Sequence, residues 1–115
     1  MDATLSPPAR LEALAASVRY PDEAAALRFL AIQFPRAASF IHQPYRDECM
    51  DWDRLSEAPG LSQGERRAVR VALALLNTVN ELNMDDLAMG CSAASLAIVV
   101  SYISQGRLTV VSAQD

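Results

Sequence analysis

Lysine is absent from this chain: all ten basic residues are arginines, at positions 10, 19, 28, 36, 46, 54, 66, 67, 70 and 107. Lysine-dependent chemistry, such as Schiff-base formation, is thereby excluded. Glycine occurs four times, cysteine twice and histidine once. So few glycines give little material for a phosphate-cradling loop, and no nucleotide fingerprint, nucleophile elbow or metalloprotease helix is present. One histidine and two distant cysteines do not supply the three or four regularly spaced ligands of a zinc site. No metal and no cofactor is therefore expected. Cys49 and Cys91 make no disulfide framework, so a reducing cytoplasm is the expected compartment. Residues 1–8 lack both a basic start and an apolar run, and no secretory leader is read there.

What is present is ordinary globular material. The 115 residues are 51% apolar and 21% charged, enough for one domain with a core, and the net charge of −4 disfavours a nucleic-acid partner held by bulk charge. Twenty alanines beside the all-arginine balance match a GC-rich coding bias and point to a bacterial or phage source.

The spacing of apolar residues predicts helices throughout. Ser6 is a good N-cap, Pro7 suits a first turn, and Leu11, Leu14, Ala15 and Val18 share a face, giving a helix over 7–19. A second opens at Pro21 with Asp22 and Glu23 in its first turn, buries Leu27, Leu30, Ala31 and Phe34, and ends at Pro35. Residues 36–43 suit one further short turn. From Pro44, the residues Tyr45, Cys49, Trp52 and Leu55 share a face. Ser62 and Glu65 form a capping box, the best local signal in the chain. The helix that follows is expected to reach residue 82, with Ala68, Val69, Val71, Ala72, Leu75, Leu76, Val79 and Leu82 on one side. Asn83 is read as capping a short helix over 84–89 that Gly90 stops, and a last helix runs over 93–105 to Gly106. Leu108 to Val111 has strand propensity but no evident partner.

The expected fold is an all-α bundle of five to seven helices in a single domain, with 1–6 and 107–115 loosely ordered and helices 63–82 and 93–105 at its centre. The stretch 87–106 carries no charge over about a bilayer's span. Gly90-Cys91-Ser92 divides it, however, and 93–105 alone is too short to cross, so no membrane association is expected. It is read instead as a helix buried on most sides.

Four groups of residues have the types that carry chemistry. His42 and Cys49, near the carboxylates around Trp52, bring a nucleophile and a base close in sequence. Such a pair needs the imidazole to lower the thiol's pKa and a third group to orient the ring, and seven residues of separation do not enforce this. Arg66, Arg67 and Arg70 are a basic cluster suited to a phosphate or an acidic partner, with Glu65, Asp47, Glu48, Asp51, Asp53 and Glu57 as internal counter-charges. Asn77, Asn80 and Asn83 recur every three residues and read as a solvated face, Asn83 having its capping role. Finally, Gly90-Cys91-Ser92-Ala93-Ala94-Ser95-Leu96 resembles the turn and recognition-helix start of helix-turn-helix proteins, which implies DNA reading by the last helix. That helix offers bases only alanine, serine, aliphatics and Tyr102, with none of the Arg, Lys, Asn or Gln that read base edges. Burial accounts for the same residues.

The sequence thus points to a non-enzymatic protein-interaction module, regulatory or inhibitory, that binds a protein partner or a second copy of itself. Val99, Tyr102 and Ile103 on the nearly uncharged last helix are the expected contacts, because a chain this small has little material to surround such a helix. The alternatives are a transcriptional regulator using the arginine patch and a small enzyme using Cys49 and His42.

Overall fold

The computed structural model describes residues 6–18, 20–39, 55, 57–76 and 81–111. Among them are five α-helices: α1 (Pro7–Ser17), α2 (Pro21–Gln33), α3 (Gln63–Leu75), α4 (Met84–Gly90) and α5 (Ala93–Ser104). A 3-10 helix spans Pro35–Ser39, and two three-residue strands, β1 (Glu81–Asn83) and β2 (Thr109–Val111), complete the described elements. The chain is an all-α bundle with a minor strand pair.

Local chemistry sets most boundaries. The Ser6 hydroxyl accepts from the Ala9 amide at 3.4 Å at the start of α1. Pro21 opens α2, with Asp22 and Glu23 in its first turn. At α3 the capping box is complete: Ser62 Oγ accepts from the Glu65 amide at 3.1 Å, and Glu65 Oε1 accepts from the Ser62 amide at 2.9 Å. Asn83 caps α4 by accepting from the Asp85 amide at 2.8 Å. α5 ends in a Schellman turn. Gly106 takes φ +73°, its amide donates to the Ile103 carbonyl, and the Arg107 amide donates to that of Tyr102.

Two expectations are corrected. The helix predicted to reach residue 82 stops at Leu75, and Glu81–Asn83 instead pairs in parallel with Thr109–Val111, in the register Glu81↔Thr109, Leu82↔Val110, Asn83↔Val111. Leu82 is still buried, at 2% exposure, but from a strand. The β-branched run at 109–111, which lacked a partner in the sequence reading, finds one across the crossover formed by α4 and α5. Leu108 is buried beside this pairing, and residues 112–115 lie outside the described part. Residues 77–80, including Asn77 and Asn80, lie outside the described part.

The second correction concerns the centre of the bundle. α2 packs on α1, α3, α5 and the 3-10 helix, and Ala26, Leu27, Phe29 and Leu30 are wholly buried. α5 buries only Ser95, Val99 and Tyr102. The uncharged α5 is the helix that its pattern alone would put inside, but α2 holds that place.

Acidic groups fasten the outside. Arg36 of the 3-10 helix donates to both Glu65 carboxylate oxygens, at 3.1 and 2.7 Å, so that one carboxylate caps α3 and ties it to the end of α2. The Arg36 guanidinium, with the Ser62 amide, holds the Glu65 carboxyl down at about 2. A depressed carboxyl stabilises the fold above its unfolded pKa and loses that contribution as pH falls through the folded value. Thermal melts from pH 7 down to pH 2 are therefore expected to show wild-type protein losing stability below about pH 5. Glu65→Gln, which keeps the cap but not the charge, has a flatter acid limb, and the two curves converge near pH 2. Parallel curves throughout would contradict this role for Glu65.

Candidate functional site

α2 and α5 lie side by side and antiparallel, fixed at both ends by side-chain hydrogen bonds. At one end Gln33 Oε1, on the last residue of α2, accepts from the Ser95 hydroxyl at 2.8 Å and the Ser92 amide at 2.7 Å, both at the start of α5. Ser92 and Ser95 also form the capping box of α5. At the other end Asp22, in the first turn of α2, accepts from the Tyr102 hydroxyl at 2.7 Å and from Arg107. The Arg107 guanidinium lies over the Tyr102 ring, 4.6 Å from its centroid. Burial and the Asp22 carboxylate push the Tyr102 hydroxyl up to about 12, so it stays a proton donor at any ordinary pH.

These clamps decide which sides of α5 face inward. Val99 is wholly buried and Tyr102 is 8% exposed, while Ile103 is half-buried. Of the three residues expected to meet a partner, the first two are therefore part of this chain's own core. The side turned to water carries Ala93, Ala94, Ala97, Val100, Ser101 and Ser104, an arc of roughly 120° at 3.6 residues per turn. None of the six is charged, and Val100 is 49% exposed. Exposed helix faces are ordinarily charged or strongly polar. Between this face and α2 runs a shallow groove of about 350 Å³, lined by Ala25, Arg28, Ala97, Ile98, Ser101 and Tyr102.

Ala97, Val100 and Ser101 are surface residues that do not stand out as such in the sequence. The available signal was the recurrence of small residues at 93, 97, 101 and 104, a stripe at one-turn spacing. Alanine and serine tolerate either environment, so the stripe reads as interior or exterior equally well.

The arginine cluster has an internal counter-ion different from those expected. Arg70 donates to both Asp86 oxygens, at 2.8 and 3.0 Å, and Arg67 donates to Oδ1 at 3.2 Å. The Asp86 side chain is 7% exposed, and α4 brings it to α3 because Gly90 lets the two helices meet closely. A Cβ on Gly90 would stand 3.0 Å from that of Arg67. Arg66 is exposed and makes no ion pair among the described residues. Glu57 is described and exposed, whereas Asp47, Glu48, Asp51 and Asp53 lie outside the described residues, as do His42, Tyr45, Cys49 and Trp52.

Cys91 is a free thiol between α4 and α5, and burial pushes its pKa up, away from the reactive thiolate. No group of three possible metal ligands occurs among the described residues. The uncharged stretch 87–106 is divided between α4 and α5, and no described helix is long and apolar enough to cross a membrane. No protein-family model, curated protein or solved structure matches this chain.

Proposed function

We propose that this chain is a non-enzymatic protein-interaction module, regulatory or inhibitory in role, which binds a protein partner over the outward face of α5 and the groove beside α2. The observation that carries this reading is the absence of charge from the whole exposed arc of α5. Side-chain hydrogen bonds hold both ends of that helix to α2, and a preorganised surface binds with little ordering cost. The small side chains of Ala97 and Ser101 leave room for another backbone to come close. The arginine patch gives less support to a nucleic-acid role, since Arg67 and Arg70 are engaged by Asp86.

Ala97→Arg tests the proposal. The position is exposed, so its melting temperature should stay close to wild type, within the roughly 0.5 kcal/mol usual for surface changes. In affinity purification from the native host, a partner retained by wild-type protein is expected to be lost by the variant. Equal retention by both, or none by either, would refute the proposal.

A further inference from the structure

We propose that the occupant of the α2–α5 groove is an amphipathic helix of the partner, presenting a small or aliphatic ridge to the groove floor and a carboxylate to Arg28. This inference rests on the protein-binding reading above and adds the chemistry of the partner. Of the six lining residues, Arg28 alone is charged. Its nearest counter-charge is Glu12 on α1, where the closest approach is 3.6 Å from Nε, beyond hydrogen-bond length. Both side chains are about half exposed. Arg36, Arg67, Arg70 and Arg107 each donate hydrogen bonds to a carboxylate within the chain, whereas Arg28, like Arg10 and Arg66 away from the groove, donates none among the described residues. At the far end of the groove, Asp22, Tyr102 and Arg107 are engaged with one another. One half-exposed cation, paired with Glu12 but not hydrogen-bonded to it, therefore stands at the rim of an otherwise uncharged channel.

A helix suits this channel better than an extended strand. The groove runs between two antiparallel helices, exposes no strand edge, and has alanine at positions 25 and 97, which permits a third helix to settle between the first two. The net charge of −4 repels a polyanion as a whole but not a helix that carries one carboxylate at the right place.

The experiment is selection of a displayed library of helical peptides on the full chain, followed by titration of the selected peptides. The expected binders carry Asp or Glu at one fixed position beside an Ala/Leu ridge. They are expected to bind Arg28→Glu about tenfold more weakly or worse and to regain affinity when their acid is exchanged for arginine. Circular dichroism checks that Arg28→Glu retains the wild-type helix content. Binders without an acidic position, or with affinity indifferent to Arg28→Glu, would overturn the inference. So would a wild-type dimer in sedimentation that Ala97→Arg converts to monomer, which makes the occupant a second copy. The native partner separates the two levels. Loss on Ala97→Arg but not on Arg28→Glu overturns the acidic helix and leaves the binding face standing, and loss on neither overturns both.

Discussion

Replacing Asp86 by alanine is expected to destabilise the protein by about 3 kcal/mol, the lower end of the cost of removing one partner from a buried ion pair. The Asp86 side chain is 7% exposed and that of Arg67 17%, so without the carboxylate the Arg67 guanidinium is left largely dry with no counter-ion. Arg70 is 51% exposed and turns to water, which is why the figure sits low in the range. For a chain of this size the loss corresponds to a fall of roughly 12 °C in melting temperature. Asp86→Leu combined with Arg67→Met is expected to recover most of it, because the apolar pair removes the stranded charge as well as the bond. Thermal melts of the two variants check both statements. A melting temperature for Asp86→Ala within about 2 °C of wild type would show that α3 and α4 are not held together in this way.

Phe29→Ala is expected to cost about 3–5 kcal/mol, the usual range for emptying a buried phenylalanine site. The ring is wholly buried on α2, among the elements that surround this helix on nearly every side, so collapse into the void is limited. Val100→Ala on α5 removes a smaller side chain that is 49% exposed and is expected to change stability by less than about 0.5 kcal/mol. The contrast distinguishes the two helices. Equal losses in denaturant titrations of the two variants would return α5 to the interior, where its hydropathy alone would put it.

That last difference marks where the sequence was readable and where it was not. Caps and stops were legible because their chemistry is local. Ser62 with Glu65, Asn83 before α4 and Gly106 after α5 each act within a few residues, and each stands where its side chain or backbone freedom predicts. The strand pair was not legible. Glu81 and Leu82 continue an acceptable helical pattern, and only contact of 81–83 with 109–111, distant in sequence, favours the extended form. The Asp86 counter-ion was hidden for a related reason. In sequence it serves as a first-turn acid of α4, and only the close approach at Gly90 turns it toward Arg67 and Arg70. The central helix was obscured because α2 carries Asp22, Glu23 and Arg28 while α5 carries no charge, so pattern alone puts α5 deeper. The candidate face was misplaced because alanine and serine do not declare whether they face water. It took the clamps at Gln33 and Asp22 to turn Val99 and Tyr102 inward and Ala97 outward.

The central claim is that this chain meets its partner over the exposed side of α5. Its most direct test is photo-crosslinking in the native host, with a benzophenone side chain placed at Val100 on that face and, separately, at Met89 on α4, which is 67% exposed and lies outside it. A discrete adduct from position 100, absent from position 89 and abolished by Ala97→Arg, is the predicted result. The same adducts from both positions, or none from position 100, would contradict it.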